Sequence, residues 1–171
     1  MTGANAGGLE GAPDLEALLD ALARARAELL ATIEGVTQEA FVRPPSIPLP
    51  TADDLDDPRW DVRDVLWHAG LLDDWYRLLI DQGLGGRPLA PWKAGSRPDH
   101  LQTPDFLREW LAQTRGALLA RARRLTAADL DAEFTPPDGE PRTPRRLLEH
   151  LARHDRGHAA QVRALLEGVR S

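Results

Sequence analysis

Apolar residues recur at helical spacing in four segments of the chain. The first extends from about Asp14 to Ile33, where leucines stand three, four and seven residues apart. The second begins with Asp61 as its predicted N-cap and ends near Gln82, before a glycine-rich stretch. The third and fourth open with threonine followed by proline and extend over about residues 103–125 and 143–169. No segment alternates as a strand would, so the pattern predicts an all-α fold with four long helices.

The connections between these helices are long and rich in proline. Residues 43–50, RPPSIPLP, separate the first two helices and are followed by an acidic run over residues 53–57. Connections of this length are typical of a four-helix bundle with at least one long crossover. Residues 1–12 are rich in glycine and alanine, and we expect a flexible tail there. Residues 13–171 are then predicted to form a single four-helix bundle domain.

Three histidines occupy positions that the heptad pattern assigns to the interior of the bundle. The last helix has two such rows of residues seven apart: Leu151, His158 and Leu165 in one, Leu147, His154 and Gln161 in the other. In the second helix, His68 shares its row with Trp75 and Gln82. A lone interior histidine is usually a hydrogen-bonded core residue. Burying three imidazoles without partners is costly, however, which favours a shared ligand.

The spacing of the histidines indicates what that ligand is. Two pairs lie four residues apart, His150 with His154 and His154 with His158, whereas random placement of five histidines would give about 0.1 such pair. Residues four apart share one face of a helix, so two imidazoles can bind one metal ion. Spacing alone allows either pair. The interior rows favour His154 with His158, because His150 falls beside them.

His68, on the facing helix, would supply a third ligand. Three protein ligands leave coordination positions open, which is the pattern of catalytic zinc sites, whereas structural sites are usually closed by four. An all-imidazole set favours zinc and is also compatible with nickel or iron. We therefore predict a metal site formed by His68, His154 and His158. Four further residues are expected to contact these ligands or to line the pocket: His150, Asp155, Trp75 and Gln161.

Other catalytic patterns fit this sequence less well. Residues 154–158, HDRGH, are close to the zinc-protease motif, but Asp155 stands where that motif has its glutamate base. Hydrolysis with Asp155 as base is therefore a weaker alternative. The serines lie in predicted loops or at the C-terminus, and none has the setting of a catalytic nucleophile. His100 lies in a proline-rich loop, and we expect it to be solvated.

Composition narrows the function classes further. The chain has no cysteine, which excludes disulfides, thiolate metal ligands and a cysteine nucleophile. Its formal net charge of −6 gives no attraction to nucleic acid or anionic lipid. Neither a signal peptide nor a membrane-spanning run is recognisable in the 171 residues. We therefore expect a cytoplasmic protein that binds neither nucleic acid nor a membrane.

Two helix segments and one connecting segment carry a family resemblance. They are WDVRDVLWH at residues 60–68, HLARHDRGHAAQ at residues 150–161 and LTAADL at residues 125–130. With these segments the chain resembles the DinB/YfiT-like superfamily of metal-binding four-helix bundles, over about residues 14–169. The resemblance implies an up-down-down-up bundle, often dimeric, with its metal held by His68, His154 and His158.

The resemblance also implies a class of reaction. Characterised relatives use the metal to activate a small thiol, such as mycothiol or bacillithiol, for transfer or isomerisation. The expected function is therefore that of a metal-dependent transferase acting on a small thiol cosubstrate and an electrophile, in a monomer or a homodimer. Two alternatives stay open. One is a metal-binding protein of a stress response without turnover, and the other is a metal-dependent hydrolase.

Overall fold

The computed structural model describes residues 12–48, 51, 57–86, 102–136 and 139–168. These residues form four long and two short helices: α1 (Ala12–Ala31), α2 (Gln38–Phe41), α3 (Val62–Leu84), α4 (Pro104–Ala122), α5 (Ala127–Asp131) and α6 (Pro144–Gly168). Within the same residues, strand-like pairing is limited to one bridge between Phe134 and Arg142. The predicted all-α fold is confirmed, and the four long helices lie where the periodicity placed them. Residues 1–11 of the predicted tail, and His100, lie outside the described residues.

The helix starts follow the capping residues seen in the sequence. The Asp61 carboxylate accepts the backbone N–H groups of Arg63 and Asp64, and the Asp64 side chain accepts the N–H of Asp61 in return. Thr103 caps α4 ahead of a proline in the first turn. Thr143 accepts an N–H group from the first turn of α6. Fixed starts determine where each histidine falls along its helix.

The first and last helices run parallel. Near their starts, Asp14 of α1 pairs with Arg145 of α6. Near their ends, Glu28 of α1 pairs with Arg163 of α6 at 2.8 Å. Both pairs are exposed and contribute little stability by themselves. They show, however, that the two helices lie side by side in the same direction.

The two middle long helices also run parallel to each other. Trp67 of α3 stacks on Trp110 of α4 with ring centroids 4.2 Å apart, and farther along, Asp81 pairs with Arg121. A chain that joins two parallel helices must return along their length, so a long crossover is required between α3 and α4. Most of that connection, residues 87–101, lies outside the described residues.

Between these two pairs of helices the direction reverses. His68 of α3 contacts His154 of α6, and Tyr76, farther along α3, contacts His150, earlier in α6. α3 and α6 are therefore antiparallel. Together with the two parallel pairs, this gives the up-down-down-up order predicted for the bundle.

Two apolar clusters fill the interior. One surrounds Leu22, Leu79 and Leu118, and the other surrounds Leu29 and Leu66. Each fully buried leucine contributes about 1.5–3 kcal/mol relative to an exposed one. On α1, α4 and α6, buried polar residues separate one cluster from the other along the helix. In the described part of the chain, no helix has both the length and the apolar content needed to cross a membrane.

One of the predicted interior rows is only partly buried. In α3, His68 is buried but Trp75 and Gln82 are only half-buried, while Tyr76 is 3% exposed. The row of His68, Trp75 and Gln82 therefore lies at the edge of the buried face of α3. A straight helix has 3.6 residues per turn, so positions seven apart drift by about 20° for each heptad. Relative to His68, Trp75 is therefore turned about 20° away from the buried face, whereas Tyr76 is turned about 80° towards it, onto the row of the buried Ala69.

Candidate metal centre

Three buried imidazoles from two antiparallel helices meet in the polar layer between the apolar clusters. Nε2 of His154 lies 3.1 Å from Nε2 of His68 and 3.0 Å from Nε2 of His158. The three residues are 6%, 3% and 0% exposed in chain order. One ring nitrogen from each lies within 4.8 Å of one from each of the others. The structure therefore brings together the three histidines that the heptad rows selected.

A hydrogen bond orients the most buried of these rings. Nδ1 of His158 lies 2.9 Å from Oε1 of Gln161, so the Nδ1–H group donates to the amide oxygen. This fixes the tautomer and leaves the lone pair of His158 Nε2 directed towards His154. Metal-binding histidines characteristically donate their other ring N–H to such an oxygen. Gln161 lies where the sequence placed it, beside the candidate ligands.

The donor set fits a divalent transition-metal ion. Imidazole nitrogens this close share either a proton, in an N–H···N hydrogen bond, or a metal ion. Two nitrogens that are each bound about 2.1 Å from one ion are about 3.0 Å apart at a right angle and about 3.4 Å apart at the tetrahedral angle, and the observed separations are 3.0 and 3.1 Å. Over the described residues, this is the one group of three histidine or carboxylate side chains so arranged. Three nitrogens and no carboxylate suit zinc, nickel or iron better than magnesium or calcium.

Further aromatic side chains lie beside the triad. The ring centroid of Trp60 is 5.0 Å from that of His68. His150 is half-buried, with its ring centroid 5.6 Å from that of His154, and its Nδ1 lies 2.5 Å from the Tyr76 hydroxyl. His150 thus flanks the triad. Sequence reasoning missed Trp60 and Tyr76 as neighbours of the site, although Tyr76 adjoins a predicted interior row.

Trp75 is half-buried at the edge of the core. It packs against the apolar cluster around Leu22, Leu79 and Leu118, and Tyr76 takes the position next to His150. The expectation that Trp75 lines the metal site stays a prediction.

Asp155 is fully buried, and two arginines surround it. Nε and Nη2 of Arg26 lie 2.9 and 3.1 Å from its two oxygens, and Nη2 of Arg115 lies 2.9 Å away. Burial by itself would raise the pKa of Asp155, but the charges of Arg26 and Arg115 outweigh it and lower that pKa. A carboxylate held ionised by two guanidinium groups is a poor proton acceptor. Its geometry argues against Asp155 as a general base.

These residues belong to a buried group that we call the central ion cluster: Arg26, Asp73, Arg115 and Asp155. It takes one residue from each long helix, and each is at most 4% exposed. Asp73 accepts from Nε and Nη2 of Arg115 at 3.1 and 2.8 Å and pairs with Nη2 of Arg26 at 3.0 Å. Burial raises the pKa of Asp73, against the opposing effect of both arginines. Two positive and two negative groups leave the cluster formally neutral.

The sequence analysis did not select this cluster, although a signal was present. Arg26 stands between Leu22 and Leu29 on the apolar stripe of α1, and Arg115 lies between Leu111 and Leu118 on that of α4. A charged residue on an apolar stripe is almost never fully buried unless it is paired. A charged residue on the apolar stripe of each long helix would have predicted that these four side chains pair with one another in the interior.

Comparison with known proteins shows the family and supports the fold. Residues 21–162 match the family model described as DinB superfamily. The structure is similar to YfiT from Bacillus subtilis, described as a probable metal-dependent hydrolase with an unusual four-helix bundle topology. The match has a TM-score of 0.69 at 19% sequence identity and covers 96% of this chain and 91% of that one. No curated protein matches the sequence.

Proposed function

Because the chain belongs to the DinB superfamily, we propose that it is a metal-dependent enzyme whose divalent ion is held by His68, His154 and His158. The observation that carries the proposal is the meeting of three buried imidazoles at 3.0 and 3.1 Å. Zinc is the first candidate, and nickel or iron is compatible with the same donors. When bound, such an ion lowers the pKa of a thiol or water that it coordinates.

The reaction we favour is transfer of a small thiol cosubstrate to an electrophile. The chain has no cysteine, so a thiol nucleophile must come from a separate molecule. Thiols are soft ligands that suit the metals favoured by an imidazole set. Three protein ligands leave coordination positions for a substrate. Trp60 packs against the apolar cluster around Leu29 and Leu66, and its ring centroid lies 5.0 Å from that of His68, so this cluster borders one side of the triad.

The setting in which we propose this activity follows from the same properties. We place the protein in the cytoplasm, where small thiols are kept reduced. With a net charge of −6, it is expected to act on small molecules and not on nucleic acid. A homodimer is also proposed, from the resemblance to this superfamily.

Metal-dependent hydrolysis is the second candidate, and the description of YfiT favours it. In this chain, Asp155 stands where the zinc-protease motif has its base, but its oxygens are engaged by Arg26 and Arg115. A hydrolytic reaction would therefore need another proton acceptor. Metal binding without turnover, in a stress response, is the third candidate.

The test begins with metal content. Protein purified from metal-supplemented medium should contain about one divalent ion per chain by elemental analysis, because the three ligands form one site. Metal that stays far below one per chain, and that titration cannot restore, would contradict the proposed centre.

Turnover separates the three candidates. The metal-loaded protein is assayed with mycothiol, bacillithiol and glutathione against a chromogenic electrophile such as 1-chloro-2,4-dinitrobenzene, beside protein stripped with a chelator. Turnover that needs both thiol and metal supports the transferase. Hydrolysis of chromogenic esters or amides without thiol supports the hydrolase. Bound metal with neither activity supports the binding protein. His68→Ala serves as the control because it removes a ligand from α3 and leaves both ligands on α6.

A further inference from the structure

We propose that the central ion cluster positions the metal-binding histidines, with Arg26 linking the helical turns that carry His68 and His154. The inference rests on the proposed metal site but not on the reaction that the site catalyses. Arg26, Asp73, Arg115 and Asp155 are positioning residues in this proposal, because they act through the histidines.

The contacts of Arg26 reach both ligand-bearing helices. Its Nη2 group donates to the backbone carbonyl of Ala69 at 3.4 Å, one residue after His68. Its Nε and Nη2 groups donate to Asp155 at 2.9 and 3.1 Å, one residue after His154. A single guanidinium group therefore joins the α3 turn that presents one ligand to the α6 turn that presents another.

The contacts of Arg115 provide a comparison within the same cluster. Arg115 also bonds Asp155, at 2.9 Å, but its two parallel bonds go to Asp73, and its Nη1 group donates to the Leu22 carbonyl at 3.0 Å. Leu22 lies on α1, which carries none of the three histidines. Arg115 therefore completes the cluster without bonding the backbone next to His68.

Physical chemistry favours a geometric role for the cluster over a purely stabilising one. Apolar residues of similar volume often replace a buried ion cluster with no loss of stability. What they cannot replace is orientation, because the planar guanidinium group fixes several hydrogen bonds in one fork. A metal site depends on such orientation, and loss of a residue that orients a ligand typically costs about 10–100-fold in metal affinity.

Arg26→Lys and Arg115→Lys form a matched pair for the test. Each keeps the positive charge and loses the fork, but only Arg26→Lys also releases the Ala69 carbonyl. Metal affinity is measured by competition with a zinc chelator, and folding by urea unfolding of the apo proteins. We expect Arg26→Lys to lower zinc affinity by about 10–100-fold, and Arg115→Lys to lower it less. The Co²⁺-loaded Arg26→Lys protein should also show a changed visible absorption spectrum.

A fourfold apolar variant separates positioning from stability. It carries Arg26→Met, Asp73→Leu, Arg115→Met and Asp155→Leu, so no buried charge is left unpaired. We expect it to fold with about wild-type stability and to bind zinc about 10–100-fold more weakly. Leu130→Ala, in α5, is the control: it should lower stability and leave zinc affinity unchanged.

Each outcome decides one of the proposals. Wild-type affinity and an unchanged Co²⁺ spectrum in both Arg26→Lys and the fourfold variant would overturn the positioning role and leave the metal site standing. A wild-type protein that binds no metal would overturn the proposed function and this inference with it. If only one of these two variants folds, that variant decides. If neither folds, the cluster is structural and the inference is overturned.

Discussion

Replacing His158 by alanine perturbs the candidate metal centre at its most buried ligand. His158 is fully buried, its Nε2 lies 3.0 Å from Nε2 of His154, and its Nδ1 is held by Gln161. Removing the ring takes away one of three ligands and leaves the Gln161 amide oxygen without its donor. His150→Ala is the matched control, because it removes a histidine four residues on the other side of His154.

The size of the effect follows from linkage between metal binding and folding. Metal at about 1,000 times its Kd stabilises a folded protein by about 4 kcal/mol, and at 10 times Kd by about 1.4 kcal/mol. A loss of affinity of at least about 100-fold, the upper end for a residue that only orients a ligand, therefore removes more than half of that stabilisation. For a chain of this length, 1 kcal/mol corresponds to about 2–4 °C in Tm. The metal-induced rise should fall from about 8–16 °C to below about 6 °C.

The unpaired Gln161 oxygen adds a cost that is independent of metal. Leaving a buried acceptor unsatisfied costs about 1–3 kcal/mol, which the apo protein should tolerate and still fold. Thermal unfolding with and without zinc, together with isothermal titration, measures both effects. For His150→Ala we expect a loss of at most about 10–100-fold in affinity. If His150→Ala abolishes binding while His158→Ala retains it, the α6 ligands lie one turn earlier than proposed and the site is refuted.

Three further predictions address pH, the central ion cluster and nucleic acid. Zinc should raise Tm strongly near pH 7 and hardly at all near pH 5, because imidazole ligands must be deprotonated; a rise of equal size at both pH values would indicate carboxylate ligands. Asp155→Asn should destabilise the apo protein by about 3–5 kcal/mol, because it leaves buried arginines underpaired. The pKa of Asp155 is lowered in the folded state. The stability that its carboxylate contributes is therefore fully present above the unfolded pKa of about 3.9 and is lost as pH falls through the folded pKa. Urea unfolding should therefore show the difference between wild type and Asp155→Asn at pH 6 and a smaller difference at pH 3; a constant difference would contradict the assigned charge. In filter binding or fluorescence anisotropy at physiological salt, no salt-dependent micromolar affinity for duplex or single strands is expected, because the chain carries a net charge of −6.

The sequence predicted the helices and the triad because the relevant information is local. Capping at Asp61 and Thr103 sets the helix starts, and the spacing of His154 and His158 sets their shared face. Once the buried faces of α3 and α6 are known, His68 is the histidine on α3 that can meet His154 and His158. Local periodicity therefore sufficed for the candidate ligands.

Features that depend on how the helices pack could not be predicted in this way. The partners of Asp155 come from α1 and α4, and periodicity within α6 does not indicate which faces of those helices approach it. The contact of Tyr76 with His150 depends on how α3 is rotated against α6. Both features depend on how whole helices pack against one another, and the sequence of one helix does not determine that packing.

The separation of the ligands along the chain has a consequence for biosynthesis. His68 and His154 are 86 residues apart in sequence and meet only through the antiparallel packing of α3 and α6. Closing a loop of that length in a disordered chain costs about 4 kcal/mol or more in entropy. A nascent polypeptide still lacking α6 contains only one of the three candidate ligands. Capture of the proposed ion would therefore follow release of nearly the whole chain from the ribosome, and the ion would then act as a reversible cross-link that slows unfolding.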